Sequence, residues 1–172
     1  MTLAIAHREN ARVGLDLVRE RPSRFSPDEV VKEFAETLRR YNIRSIRGDR
    51  YGGEWPRERF RAHGIAYDVA ELAKSDLYRE LAPLLNSKQV ELLDYPRLIS
   101  QLLRLERRVT RGGRESIDYA PNGHDDVVNA VAGVPVGAPA FPARRDFVLA
   151  GGNRVAGLFG VEPQVARRGL II

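Results

Sequence analysis

Two adjacent carboxylates, Asp125 and Asp126, open an apolar stretch in the segment APNGHDDVVNAVAG. A third candidate, Asp49, ends the short segment IRSIRGD much earlier in the chain. Carboxylates that converge on one point repel each other, so they are normally retained together with a divalent cation that neutralises them. The chemistry that these residue types indicate is the binding of a metal ion such as Mg²⁺ through oxygen ligands.

Each of these acids also has a structural explanation. An Asp in the first turn of a helix accepts hydrogen bonds from unpaired backbone N–H groups, so either Asp125 or Asp126 can be a helix cap. Asp49, which precedes RYGG, can form a turn with its own backbone, and His124 beside a glycine is typical of a turn. One cap would suffice, so the second of the two adjacent acids is surplus. From the residues alone, both explanations stay open.

The charge balance favours a polyanionic partner. The 172 residues include 28 Lys and Arg against 23 Asp and Glu, which gives a net charge of +5, and most of the basic residues are Arg. Arg suits bidentate contacts to phosphate. The chain has no cysteine, which excludes disulfides and thiolate metal sites. No apolar run approaches the roughly 18 residues of a membrane span, so we expect no membrane contact and a cytoplasmic location.

The elements that must position the acids alternate between strand and helix. TLAIAHREN and ARVGLDLVRE predict a hairpin, and Ser26 with Pro27 predicts the start of a helix. Short strands are predicted in IRSIRGD, GIAYDVA and VELLD, and helices over 56–63, 74–86 and 96–108. RRVTRGGRESIDYAP predicts a second hairpin about its Gly-Gly pair. The alternation is typical of an α/β fold, in which the carboxyl ends of strands carry the chemistry.

The composition changes near the end of the late apolar helix. From residue 134 the chain becomes rich in Pro, Gly and Ala, as in VPVGAPAFPARR. We therefore expect one domain over residues 1–133 and a linker and tail over 134–172. Within the tail, RDFVLAGG is apolar enough to form a strand that pairs with an exposed edge of the sheet.

Three segments carry a resemblance to a known family. GDRYGGEWP, KSDLYRELAPLLNSKQVELLDYPRLISQLLRLERR and GRESIDYAPNGHDDVVNAVAG resemble the carboxyl-terminal nuclease domain of the large terminase subunit of tailed bacteriophages. The resemblance spans residues 1–133 and implies a ribonuclease H-like fold, a mixed sheet flanked by helices. It implies an active site of acids from the first strand, the fourth strand and a late helix. Asp49 matches the fourth-strand acid, and Asp125 and Asp126 match the late-helix acids.

The resemblance implies a metal-dependent endonuclease that cleaves concatemeric double-stranded DNA during packaging. Asp49, Asp125 and Asp126 would hold two ions, Mg²⁺ or Mn²⁺, of which one activates water and the other stabilises the leaving oxygen. The implied partners are double-stranded DNA, an ATPase domain or chain of the packaging motor, the portal and the small terminase subunit, in a bacterial host cell. Contacts to backbone phosphates are expected from four basic residues: Arg50, Arg57, Arg111 and Arg114.

The chain also departs from the family pattern. It contains no GxxxxGK[ST] phosphate loop, so we expect no motor activity from it. TLAIAH resembles the family's second strand, so the strand with the first catalytic Asp is expected upstream of Met1, and Asp16 does not match it. That strand would lie between the TLAIAH strand and the Asp49 strand. The alternatives left open are an active nuclease, an inactive prophage remnant or DNA-binding module, and a resolvase or transposase relative.

Overall fold

The computed structural model describes residues 1–21, 26–49, 53–109, 113, 115–119, 125–137 and 154–159. None of the helices in these ranges is long and apolar enough to cross a membrane. In chain order, the elements are β1 (Thr2–Glu9), β2 (Arg12–Glu20), α1 (Pro27–Arg40), β3 (Ser45–Gly48), α2 (Trp55–Ala62), β4 (Ala66–Val69), α3 (Lys74–Asn86), β5 (Val90–Glu91), α4 (Pro96–Leu102), β6 (Leu105–Val109), β7 (Glu115–Tyr119), α5 (Asp126–Gly137) and β8 (Arg154–Phe159).

The main sheet has six strands in the order β4, β3, β8, β1, β2, β5. Strands β1 and β2 form the predicted hairpin, in which Thr2 lies opposite Glu20. Its turn holds Asn10 at a φ of 54°, a left-handed conformation that Asn tolerates better than most residues. Strands β3 and β4 are parallel to each other, whereas β1 and β2 are antiparallel. The sheet is therefore mixed, as the sequence predicted.

Strand β1 separates the apolar core into two layers. Leu3 and Ile5 pack with α1 and with Phe60 of α2. Ala4 and Ala6 belong to the second layer, which includes residues of α3, α4 and α5. Successive residues of a strand point to opposite faces of the sheet, so helices cover both faces of β1.

The strand between β1 and β3 comes from the predicted tail. Strand β8 pairs antiparallel with residues 3–7 of β1, and it pairs in parallel with β3 at Arg47 and Gly157. It therefore holds the central place in which the sequence analysis expected a strand from upstream of Met1. The strand predicted in RDFVLAGG, residues 145–152, lies outside the described residues. The tail strand that the structure describes lies in the sheet interior instead of at an edge.

The helix predicted over 96–108 is wrong in its second half. Helix α4 ends at Leu102, and β6 begins at Leu105. Strand β6 pairs antiparallel with β7 along its length and forms the predicted second hairpin as a separate two-stranded sheet. Leu103, between α4 and β6, is 81% exposed. Backbone pairing with β7 outweighs the helical spacing of the leucines.

Candidate functional site

Three carboxylates lie at one end of the main sheet. Glu20 ends β2, Asp49 directly follows β3, and Asp126 begins α5. Burial lowers the pKa of the Met1 amino group at the start of β1, and the charges of Asp126, Glu20 and Asp49 all act in the opposite direction on it. The three side chains are therefore close enough to the same atom to influence it. We refer to Glu20, Asp49 and Asp126 as the acid end of the sheet.

Glu20 is the most deeply buried acid of the three, with 1% of its surface exposed. The Tyr95 hydroxyl donates to its Oε2 at 2.9 Å. Its Oε1 lies 3.2 Å from Nε of Arg97, an ion-pair contact without hydrogen-bond geometry. Burial raises the pKa of Glu20, and Tyr95 and Arg97 oppose that shift. A buried carboxylate oxygen without a hydrogen bond is an atom that a bound cation can satisfy.

Asp49 is positioned by the packing of β3 against β4. The Tyr67 hydroxyl donates to the backbone carbonyl of Asp49 at 2.9 Å. A Cβ atom at Gly48 would overlap that hydroxyl, so the close approach of Tyr67 requires glycine. Burial and then the Asp49 charge raise the pKa of Tyr67, and Arg57 lowers it. Arg57, whose guanidinium also donates to Glu54 at 2.8 Å, therefore lies near Tyr67, the residue that contacts Asp49.

The two adjacent acids of the late helix have different surroundings. Oδ2 of Asp125 accepts a hydrogen bond from the Tyr78 hydroxyl at 2.9 Å and lies 2.9 Å from Nζ of Lys74. The same Nζ lies 2.7 Å from Oδ1 of Asp118 on β7. Asp126 is exposed and lies at the acid end. The fold thus separates the pair, because Asp125 is neutralised from α3 and Asp126 is not part of that ion pair.

Lys74 and Asp118 keep their charges at neutral pH. Burial lowers the pKa of Lys74, but its hydrogen bonds to Asp118 and Asp125 outweigh burial, so the net shift is upward. The hydrogen bond from Lys74 holds the pKa of Asp118 below its usual value. Burial, with the charge of Asp125, raises the pKa of Tyr78. Lys74 stays a cation and Tyr78 stays a donor, so both contacts to Asp125 persist.

The first turn of α5 is capped from another helix. Gln101 of α4 is 3% exposed, and its Oε1 accepts hydrogen bonds from the backbone N–H groups of Val127 at 3.0 Å and Val128 at 2.9 Å. Capping was the structural explanation for Asp125 and Asp126, and Gln101 supplies the acceptor for these two N–H groups. Asp125 and Asp126 therefore lie at the positive end of the α5 helix dipole. Neither carboxylate is needed to cap the N–H groups of Val127 and Val128.

The oxygen donors of the acid end suit a hard divalent cation, but they do not close around one. Within the ranges described above, no three His, Cys, Asp or Glu side chains lie close enough to hold an ion together. Strand spacing accounts for this, because neighbouring strands are about 4.8 Å apart and two strands, β1 and β8, separate Glu20 from Asp49. Strand β8, with the sequence RVAGLF, adds no carboxylate between them.

The structure describes only part of the predicted DNA contact. Arg57 is half-buried on α2 and lies near Tyr67, which contacts Asp49. Arg50, Arg111 and Arg114 lie outside the described residues, as does His124. The hairpin that was expected to carry Arg111 and Arg114 near its tip is formed by β6 and β7.

The arrangement of elements is similar to that of a solved phage protein. The large terminase nuclease from thermophilic phage G20c with bound cobalt matches with a TM-score of 0.60 and 21% identity, over 77% of this chain and 78% of that chain. The same nuclease with bound magnesium matches with a TM-score of 0.60 and 19% identity, over 76% and 79%. The chain shares the terminase nuclease fold. No protein-family model and no curated protein matches it.

This likeness confirms the fold predicted from the sequence, a ribonuclease H-like mixed sheet flanked by helices. At identities of 19% and 21%, the structural match establishes the fold alone. The activity must be argued from the residues of the candidate site. Among those residues, sequence reasoning missed Glu20, Lys74, Tyr78 and Gln101.

Proposed function

We propose that the chain is a divalent-metal-dependent endonuclease domain of the terminase type, which cleaves concatemeric double-stranded DNA. The observation that carries the proposal is the position of Asp49 and Asp126, with the buried Glu20, at one end of a ribonuclease H-like sheet. The terminase nuclease of similar fold binds cobalt and magnesium in its crystals, which supports a divalent ion, Mg²⁺ or Mn²⁺, in this chain.

The proposed ligands are Asp49, Asp125 and Asp126, and Glu20 adds a fourth carboxylate. When bound, the metal supplies an activated water and a stabilised leaving oxygen. Asp125 offers Oδ1 for this role, because its contacts with Tyr78 and Lys74 both use Oδ2. Lys74 and Tyr78 orient Asp125.

Two further contacts position the acid end for the reaction. Tyr67 fixes the backbone of Asp49 by donating to its carbonyl. Gln101 fixes the start of α5, and therefore the place of Asp126, through the N–H groups of the next two residues.

Arg57, near the Tyr67 side chain that contacts Asp49, is the described candidate for a phosphate contact beside the acid end. Arg50, Arg111 and Arg114 remain proposed contacts, since the net charge of +5 favours a phosphate backbone as partner. We extend the proposal to the packaging ATPase, the portal and the small terminase subunit as partners, inside a bacterial host cell.

A second candidate is a catalytically inactive module that keeps the fold and binds DNA. It is favoured by the absence of a carboxylate in β8, RVAGLF, the strand that separates β1 from β3. An open arrangement of acids binds a divalent ion weakly, because fewer ligands converge on it.

Plasmid nicking separates the two candidates. We expect slow nicking by the chain with Mg²⁺ or Mn²⁺ that EDTA abolishes. Asp49→Asn and Asp126→Asn should each lower the rate at least tenfold, because each removes a proposed ligand charge. Asp28→Asn, an exposed acid on α1, is the matched control and should nick at the wild-type rate. Absence of nicking with either metal, together with intact DNA binding, would favour the inactive module.

A further inference from the structure

Strand β8 has more backbone pairs with β1 than with β3. Five consecutive residues of β8, 154–158, pair with β1, but Gly157 alone pairs with β3, at Arg47. Gly157 is therefore the residue of β8 that pairs with both β1 and β3. Glycine in the interior of a strand weakens it, because it adds no side chain to pack and has more conformational freedom to lose.

The covalent connection to β8 is long. Helix α5 ends at Gly137 and β8 begins at Arg154, so residues 138–153 join them. Sixteen residues can span about 50 Å when extended. The entropic cost of closing a loop of this length is little more than that of closing a shorter loop. A connection of this length is also long enough for β8 to pair within the sheet of a neighbouring molecule.

The position between β1 and β3 in the main sheet is stable only when a strand occupies it. Residues 3–7 of β1 are paired with β2 on one side and with β8 on the other. Leu3, Ala4, Ile5 and Ala6 are completely buried. Loss of β8 would leave the backbone N–H and C=O groups on that side of β1 without partners inside the core, which is strongly unfavourable. An extended segment of the same sequence restores every one of these pairs, whichever molecule supplies it.

We propose that residues 154–159 are an exchangeable strand, and that the groove between β1 and β3 is a strand-binding site which accepts this segment from a second copy of the chain. Recognition is by backbone pairing along β1, as in other cases where a strand is added to a sheet. The exchange does not depend on the proposed nuclease function, but it bears on it, because β8 lies between β3, which precedes Asp49, and the β1 and β2 hairpin, which ends at Glu20.

A disulfide lock tests the exchange in the full chain. Ala6 and Val155 are opposite each other in β1 and β8, away from the acid end, and the chain has no cysteine of its own. Paired residues of antiparallel strands are at a Cα separation that a disulfide accepts. The double variant Ala6→Cys with Val155→Cys should therefore hold β8 in place when oxidised and release it when reduced.

The probe is a fluorescein-labelled peptide of residues 152–161, and its binding is measured by anisotropy without metal or DNA. We expect it to bind the wild-type chain and the reduced double variant, and to bind the oxidised double variant at least tenfold more weakly. A peptide with Gly157→Pro, which lacks the central N–H group, should also bind at least tenfold more weakly. Each single cysteine variant should bind the peptide as wild type does.

Equal binding to the oxidised and reduced forms, or equal binding of the proline peptide, would overturn the proposal. Because oxidised and reduced samples are the same polypeptide, circular dichroism of both shows whether a difference reflects misfolding. Hydrogen exchange supplies a second measurement. Amides of β8 should exchange at least tenfold faster than amides shared by β1 and β2, and equal protection would count against an exchangeable strand.

Discussion

Asp125 and Asp126 are neighbours in the sequence, and the fold gives them different partners. Asp125 is held by Lys74 and Tyr78 of α3, whereas Asp126 lies at the acid end with Glu20. The repulsion between adjacent carboxylates is thereby reduced, because one of them has its own cation. A site of this kind can keep two acids side by side at neutral pH.

At the residue scale, the cap of α5 gives the first prediction. Gln101→Leu removes the acceptor of two backbone N–H groups and should lower the free energy of unfolding by about 1 to 3 kcal/mol. Urea denaturation measures the change. Ser100→Leu, an exposed neighbour on the same helix, is the control and should stay within about 0.5 kcal/mol of wild type. Equal stability of the two variants would show that Gln101 is not the cap.

The second prediction concerns the ion pairs of Lys74. Lys74→Met removes the cation that depresses the pKa of Asp118, so this pKa should rise towards the ordinary Asp value of about 3.9. Carbon-detected NMR titration of the Asp118 carboxyl group measures it. Lys32→Met, an exposed residue of α1, should leave the pKa of Asp118 unchanged.

The sign of the accompanying pH dependence follows from that shift. The folded-state pKa of Asp118 is below the unfolded value, so its ionised form contributes stability that is full above the unfolded pKa. This stability is lost as the pH falls through the folded pKa, which lies below about 3.9. Lys74→Met should therefore flatten the decline of stability in acid. An unchanged acid decline in Lys74→Met would contradict the assigned pairing.

Part of the candidate site was proposed from single residues. Asp49 and Asp126 were proposed because carboxylates that converge on one point are normally retained with a divalent cation, and this assignment stays a prediction. Glu20 had a signal that was not used, since strand alternation places it on the same face as the buried Val18. Gln101 had none, because its partners in α5 follow it by 26 and 27 residues and belong to another helix.

At the scale of elements, periodicity predicted most helices and strands. The helix over 74–86 has its predicted bounds, and both hairpins form. The predicted helix over 96–108 was wrong in its second half. The leucines of this segment fit a helix, but its later residues pair with β7. Local spacing cannot reveal such a partner, because the competing interaction is with a strand that follows in the chain.

Strand β8 gives the third prediction. Leu158 pairs with Leu3, so Phe159 extends the strand to the level of Thr2, between β1 and the end of β3. Phe159→Asp adds a carboxylate to the strand that separates β3 from β1, and we expect it to tighten Mg²⁺ binding at least tenfold in isothermal titration calorimetry. Phe159→Asn, which adds no charge, should not. A gain in both variants, or in neither while both stay folded, would count against a metal site at this end of the sheet.

At the scale of the whole molecule, the division into a domain of residues 1–133 and a tail of 134–172 stays a prediction. Helix α5 continues to Gly137, and β8 of the tail lies in the main sheet. The Pro- and Gly-rich composition marks a change in sequence character after α5, but composition cannot show whether a later segment returns to the core. That return depends on a gap between β1 and β3 that only the folded sheet reveals.

The fourth prediction concerns DNA. Because the proposed contacts are to phosphates, affinity for duplex DNA should be independent of sequence and should fall by orders of magnitude from low to moderate salt. Arg57→Gln should weaken binding and reduce the salt slope by about one. Arg12→Gln, at the opposite end of the β1 and β2 hairpin, is the matched control. Fluorescence anisotropy measures both, and binding that is insensitive to salt would contradict the proposed contact.

The position of the metal tests the account most directly. Addition of Mn²⁺ to the isotope-labelled chain broadens the NMR signals of residues near the bound ion. The account predicts selective broadening of the amides of Glu20, Asp49 and Asp126, no broadening around Asn10 at the far end of the hairpin, and loss of the effect in Asp126→Asn. Broadening centred elsewhere in the molecule, or an unchanged effect in Asp126→Asn, would contradict it.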